Sequence, residues 1–303
     1  MSETTPTGAS GARTPRDSGR TANPENGAAP APTDTPATTV TSENVETTEN
    51  AQHAPAGGTA PVALVSGATR GIGRQIAEQL ALRGMTVLVG ARDAAAGERA
   101  AAEIRDAGGS AYAVPLDVTD AASVAAARAW IDDRIGRLDV LVNNAGIAGD
   151  PAAQAPGSAD LAVVRDVFDT NVFGAVALTE AVWDLLVRSP AARVVNLSSD
   201  VGSLTQARDP GHYLSRLPGF LAYGPSKTAL NAVTVQYAKA LARHGGLVNA
   251  AAPGACDTDL TRGTGMPAPR TAAQGAEVAV RLATLPDGGP TGGCFGEDRE
   301  VPW

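Results

Sequence analysis

The distribution of large apolar side chains divides the chain at Pro61. Residues 1 to about 60 are Thr, Pro, Ala, Ser, Gly, Asn and Glu with almost no large apolar side chains. Such a segment cannot bury enough surface to offset the entropy of ordering it, so residues 1–60 are expected to be a disordered tail or a mis-assigned start. Val62-Ala-Leu-Val then opens abruptly as a short apolar run of the kind that makes a buried strand. A helical pattern follows, with Ile72, Ile76, Ala77 and Leu80 on one face and Gly84 as its stop. The same alternation predicts strands over residues 86–90, 111–116 and 138–142 and helices over 98–107 and 123–135. Residues 161–186 read as one long helix or two abutting ones, with Gly174 a tolerated interruption. A fifth strand from Arg193 ends in the hydroxyls of Ser198 and Ser199, and residues 200–220 read as irregular. A helix then starts near Tyr223 and carries Ala229, Leu230, Val233, Tyr237 and Leu241. A sixth strand over 247–250, a Gly- and Pro-rich mobile segment over 259–270, a helix over 272–285 and a short strand near Cys294 complete the pattern. Strands alternating with helices of this length predict an α/β fold over residues 61–303: a doubly wound parallel (Rossmann) sheet of about seven strands with helices on both faces. Right-handed crossovers put every strand's C-terminal end, and the motifs attached to it, on one edge.

Composition narrows the function classes. The chain has 303 residues, a net charge of −8 and two cysteines, Cys256 and Cys294. Mild acidity without a basic stripe argues against a nucleic-acid partner. The two cysteines lack metal-ligand spacing and are too few for a disulfide framework, and His53, His212 and His244 are scattered, so no metal site is expected and a reducing cytoplasm is. No apolar run approaches the roughly 20 residues needed to span a membrane. Trp130 and Trp183 read as core residues of their helices.

Three patterns carry chemistry. Between the first strand and the first helix lies Ser66-Gly67-Ala68-Thr69-Arg70-Gly71-Ile72-Gly73. Gly67 permits a sharp exit from the strand, Gly71 a close backbone approach to a pyrophosphate, and Gly73 tight helix packing. The helix N-terminus then offers N–H groups and a positive dipole end to phosphates, which predicts a dinucleotide cofactor. At the end of the second strand, where an acidic residue would bind the ribose 2′-hydroxyl of NAD, stand Gly90 or Ala91 and then Arg92. Arg92 and Arg70 suit a 2′-phosphate, favouring NADP(H) over NAD(H), although Asp93 adjoins Arg92. Finally, Tyr223 and Lys227 stand four residues apart at the start of a helix, so a phenol and an ammonium share one face. A nearby cation favours the phenolate, which would make Tyr223 an acid able to work near neutral pH.

In order along the chain, Gly67-x-x-x-Gly71-x-Gly73, Leu116-Asp117-Val118, Asn143-Asn144-Ala145-Gly146, Asn171, Ser199, Tyr223/Lys227 and Pro253-Gly254 resemble the short-chain dehydrogenase/reductase family over residues 61–303. Ala91-Arg92-Asp93, the Pro253 region and the segment from Gly293 to Trp303 are similar to its carbonyl reductase branch, whose members use NADPH. The resemblance implies that Tyr223 is the general acid in carbonyl reduction and the base in alcohol oxidation. It implies that Lys227 lowers the Tyr223 pKa and holds the nicotinamide ribose, that Ser199 bonds the substrate oxygen, and that Asn171 holds a water linking Lys227 to solvent. For the cofactor it implies Gly67, Thr69, Arg70, Gly71, Ile72 and Gly73 at the phosphates, Asp117 and Val118 flanking the adenine, and Asn144 under the ribose. Pro253, Gly254, Cys256 and Thr258 are implied near the nicotinamide carboxamide, with Cys256 read as a small packing residue rather than a nucleophile. The expected partner is a small carbonyl or alcohol substrate. The competing expectations are an NADP(H) sensor without turnover and an NAD-dependent alcohol dehydrogenase.

Departures from the family pattern locate what is individual to this chain. Ser66 replaces the commoner Thr at the head of the turn. Pro225, between Tyr223 and Lys227, is tolerable only in the first turn of a helix, where an N–H has no intrahelical partner. The stretch from Ser199 to Tyr223 is longer than usual and contains Tyr213, Leu214, Leu217 and Phe220, which are expected to form part of a substrate pocket wall. Asp200, at its start, reads as an exposed charge at the cleft rim. In the carbonyl reductase branch an insertion here accompanies monomers, so monomer and homo-oligomer both stay open.

Overall fold

The computed structural model describes residues 60–262 and 267–303. The tail expected for residues 1–60 thus lies outside the described residues but for Ala60, as does 263–266 of the segment expected to be mobile. The first half alternates without exception: β1 (Val62–Ser66), α1 (Gly71–Ala81), β2 (Thr86–Ala91), α2 (Ala94–Asp106), β3 (Ser110–Pro115), α3 (Ala121–Arg134) and β4 (Val140–Asn143). The second half adds α4 (Leu161–Phe168), α5 (Gly174–Ala181), α6 (Trp183–Arg188), β5 (Arg193–Leu197), α7 (Leu204–Arg208) and α8 (Tyr223–Leu241). It ends with β6 (Leu247–Ala251), α9 (Asp259–Arg262), α10 (Ala272–Ala283) and β7 (Cys294–Phe295). The strands form one seven-stranded sheet in the order β3-β2-β1-β4-β5-β6-β7, every neighbouring pair parallel. The chain winds outward from β1 to β3 and returns to β4 beside β1, so a crevice opens at the C-terminal ends of these two strands.

The strands are continuously apolar because both faces of the sheet are covered. Successive side chains of β2 go to opposite sides: Val87 and Val89 pack with Ile76, Leu80, Ile104 and Ala279, while Leu88 packs with Ile131, Leu178 and Leu241. Each fully buried Leu or Ile of these two clusters contributes roughly 1.5–3 kcal/mol of transfer free energy. Trp130 and Trp183, expected in the core, instead lie partly buried against its edge.

The differences from the pattern have local causes. The second helix begins at Ala94 rather than near residue 98, because Asp93 caps it by accepting the N–H groups of Ala95 and Ala96; alanines without an apolar stripe hid that turn. The stretch over residues 161–186 is neither one helix nor two simple ones. A π turn, Asp169–Phe173, joins α4 to α5, and Gly174 is required by packing, since a Cβ there would lie 2.7 Å from Val118 Cγ2. The supposedly irregular 200–220 segment holds α7 and a 3₁₀ turn, Tyr213–Arg216, whose N–H at Leu214 is accepted by His212 Nδ1.

Candidate active site

One groove along the C-terminal edge of the sheet collects almost every candidate residue. Its first part, about 1,020 Å³, is lined by Gly67, Thr69, Arg70, Gly71, Ile72, Gly73, Arg92, Asp117, Val118, Asn144 and Thr258. Gly67 and Gly71 have φ of 64° and 57°, the left-handed region where a side chain is strained. Gly73 has a different reason: a Cβ there would stand 2.2 Å from Asn144 Nδ2 and 2.5 Å from the Gly67 carbonyl oxygen. That amide donates to the Ser66 and Gly67 carbonyls, and the Ser66 hydroxyl accepts the N–H groups of Asn144 and Ala145. Asn144, expected under a ribose, is therefore first a brace that locks the glycine turn to the end of β4. Where α2, α3, α4 and α10 each have a side-chain cap, α1 has none, so its first N–H groups face this groove without a side-chain partner.

Charge around the far end of this groove is unevenly committed. Arg70 pairs with Asp259 at 3.1 Å, both largely exposed. Asp93 is occupied as the cap of α2. Asp117 turns its carboxylate onto the Thr119 hydroxyl and N–H, at 2.7 and 2.9 Å; those bonds, and more weakly the Arg92 charge, hold it below its usual pKa.

The groove continues, through shared walls at Ile72, Asn144, Gly146 and Thr258, into a second part of about 930 Å³. Ser199, Tyr223, Lys227, Pro253, Gly254 and Cys256 line it. Tyr223 is the first residue of α8, and Pro225 stands in that helix's first turn as its chemistry demands. Tyr223 and Ser199 line this part of the groove together, and the Ser199 hydroxyl donates to Asp200 Oδ1 at 3.1 Å. Lys227 is buried, its Nζ donating to the Leu197 carbonyl at 2.7 Å and lying 5.5 Å from the centre of the Tyr223 ring. Ser198, the other hydroxyl at the end of β5, points away: it donates to Asn231 Oδ1 at 2.5 Å and is buried. Asn171 sits in the π turn, buried behind the groove rather than lining it. Its side chain accepts from the Ile147 N–H and donates to the Ile147 carbonyl and the Ser226 hydroxyl. A Cβ on Gly146 would lie 3.2 Å from Asn171 Oδ1 and 3.6 Å from Lys227 Nζ, so this glycine lets the amide and the ammonium face one another.

A family model described as short chain dehydrogenase matches residues 61–267. The chain belongs to the short-chain dehydrogenase family. Among curated relatives, a short-chain dehydrogenase of Penicillium roqueforti is 35% identical over 233 residues, covering 75% of this chain and 89% of its own. The (−)-isopiperitenone reductase of Mentha piperita is 32% identical and covers 79% of this chain and 97% of its own. Among solved structures, a 3-ketoacyl-(acyl-carrier-protein) reductase from Brucella melitensis, complexed with NADH, is 27% identical with a TM-score of 0.67, covering 78% of this chain and 96% of its own.

Two expectations for this short-chain dehydrogenase need correction. The Tyr223 phenol is not brought down toward neutral pH: burial pushes it up to about 12, the Asp200 carboxylate adds to the rise, and the Ser199 hydroxyl offsets part of it. Lys227 donates to the Leu197 carbonyl, and burial pulls its ammonium down to about 8. Asp200 is not a free rim charge either, since it is half-buried and accepts from Ser199, Val201 and Tyr213. Cys256 is buried and its thiol pushed up by burial, as suits a packing residue. Two residues gave no signal in the sequence. Gln154 is buried in the loop after β4, where its Oε1 accepts the Tyr223 N–H at 3.0 Å. Ser226, fully buried, donates to the Tyr223 carbonyl and accepts from Asn171.

Proposed function

We propose that this oxidoreductase reduces a ketone or aldehyde to the alcohol with NADP(H), Tyr223 giving the proton. The observation that carries this is Tyr223 and the Ser199 hydroxyl lining one groove, with Lys227 Nζ buried 5.5 Å from the Tyr223 ring. A phenol titrating at about 12 stays protonated at neutral pH, as a proton donor must. The names of the mint and Brucella relatives, both reductases, support the same direction.

The groove fits a dinucleotide on this chain's own features: a glycine turn with positive φ, an α1 N-terminus without a side-chain cap, and a volume that runs on to Tyr223. A nicotinamide dinucleotide bound there would supply the hydride. The N–H groups at Gly71–Gly73, with Thr69 nearby, would hold its phosphates, Asp117 and Val118 would flank its adenine, and Lys227 would donate to its ribose hydroxyls. Pro253, Gly254, Cys256 and Thr258 wall the other end. Asn171 fixes the Ile147 backbone against α8. In the reduction the carbonyl oxygen takes the Tyr223 proton, and the Ser199 hydroxyl, turning its one proton from Asp200 to that oxygen, donates a hydrogen bond to it where charge develops.

Arg92 is the stronger support for NADP(H), because Arg70 already shares its charge with Asp259. That same pair, and the NADH in the Brucella structure, keep NAD(H) as the second cofactor choice. Fluorescence titration separates them: NADPH is expected to bind about tenfold or more tighter than NADH, and Arg92→Ala to remove most of that margin. Equal affinities in the parent protein would remove the case for NADP(H). A carbonyl panel with Tyr223→Phe as control tests the reaction itself. Turnover in the parent and a loss of about a thousandfold in the variant are expected; full activity in the variant would rule the mechanism out. NADPH binding without turnover of any carbonyl would instead favour a sensor.

A further inference from the structure

Resting on the reduction described above, we propose that Asp200 is a positioning residue: its carboxylate joins the cleft wall, through Tyr213, to the Ser199 hydroxyl at the reacting end. Three donors meet on it, two from its chain neighbours and one from Tyr213. The Ser199 hydroxyl and the Val201 N–H both reach Oδ1 at 3.1 Å, and the Tyr213 hydroxyl donates to Oδ2. Tyr213 opens the 3₁₀ turn Tyr213–Arg216 in the stretch that is long for the family, and with Leu214 and Leu217 it lines the groove. Tyr213 is 48% exposed, and its hydroxyl is tied to Asp200.

The second consequence is electrostatic. The groups that face the Tyr223 phenol are Asp200 and Ser199 from the end of β5 and Lys227 from its own helix, with Tyr213 behind Asp200. Arg299 acts on Tyr213, and Glu300 acts with Asp200 on Cys294. Within this set Asp200 is the charge that raises the Tyr223 pKa. A fixed anion here holds the proton on Tyr223, which serves reduction and delays oxidation to higher pH. One carboxylate thus ties down the cleft wall and adds to what burial does in holding the proton on Tyr223.

The test compares the full-length protein with Asp200→Asn, Asp200→Glu, Tyr213→Phe and the Asp200→Asn/Tyr213→Phe pair. The rising limb of the pH profile for alcohol oxidation should move down by roughly one pH unit in Asp200→Asn and stay in place in Tyr213→Phe. Asp200→Glu should restore the parental limb. Both single variants should raise KM for the carbonyl about fivefold, the loss of one hydrogen bond, and the pair no further, because they break the same contact. An unmoved limb in Asp200→Asn, or KM effects that multiply, overturns the inference and leaves Asp200 a turn residue. Were Asp200→Asn not to fold, an unchanged KM in Tyr213→Phe would still overturn it. If the parent reduces no carbonyl, the proposed function fails separately, and ionisation of Tyr223 decides alone. Read by ultraviolet difference against Tyr223→Phe backgrounds, it must begin at lower pH in Asp200→Asn than in the parent.

Discussion

Lys227 shows what a buried charge costs a fold. Its burial beside Gly146 pulls the ammonium down to about 8, against roughly 10.4 when the chain is unfolded. Between those values the unfolded chain binds more protons, so stability rises with pH from about 8 to about 10.4, and at neutral pH the buried charge costs roughly 3 kcal/mol. The hydrogen bond to the Leu197 carbonyl returns only part of that. Lys227→Met is therefore expected to raise the melting temperature at pH 7, to lose that advantage above about pH 10, and to abolish turnover. A melting temperature below the parent's across the whole range would contradict the assigned burial penalty. The same titration acts on the cofactor. If the ammonium is the ribose donor, affinity for NADPH measured by fluorescence falls about fivefold between pH 8 and pH 9 in the parent and stays flat in the Met variant.

Among elements, α1 and α8 matter because their N-termini face the groove and neither carries a side-chain cap. For α1 the geometry is enforced by crowding beneath it. Gly73→Ala drives a Cβ into the Asn144 amide and the Gly67 carbonyl, neither of which can retreat without breaking bonds to β1 and β4. Calorimetry and nucleotide titration should show a loss of about 1–3 kcal/mol in stability together with weak cofactor binding. A variant that binds normally would show that the turn has slack. For α8 the support is Gln154, which accepts the Tyr223 N–H while its own amide donates to the Ala148 and Asp150 carbonyls. Gln154→Ala should lower kcat more than it raises KM, because it removes the bond that fixes Tyr223 at the start of α8, while the buried Gln154 is only one of many residues walling the groove. The π turn at Asn171 belongs to the same set: a local widening of a helix that sets one amide against Ile147 and Ser226.

Over the whole molecule, chemistry and stability are divided between opposite edges of the sheet. The groove occupies the C-terminal edge. At the other edge the buried Asp139 accepts the Val62 N–H, the Ser189 hydroxyl and both arms of the Arg137 guanidinium. Asp139→Ala leaves the Val62 N–H and the Ser189 hydroxyl without that acceptor and should cost about 2–3 kcal/mol in urea unfolding, while KM for cofactor and carbonyl stays at the parental value. A change in KM as large as the change in stability would mean that the two edges are coupled. Among the described residues no helix is long and apolar enough to cross a membrane.

What the sequence determined by itself was the order of elements and the identity of the motifs. Period and punctuation are local properties, so the glycine turn after β1, the pairing of Tyr223 with Lys227 and the first-turn place of Pro225 could be read from neighbours along the chain. Helix edges were less legible where alanine replaces an apolar stripe, as at Ala94, and the π turn left no periodic mark. Tertiary structure alone decided the rest, because it depends on contacts between residues far apart in the chain. Folding made Asn144 a brace for the turn, engaged Arg70 with Asp259 and placed Gln154 beneath Tyr223. It also reversed the expected electrostatics of the acid. Sequence spacing puts a cation four residues from a phenol, but burial and the Asp200 carboxylate set the Tyr223 proton's affinity, and neither is a property of spacing.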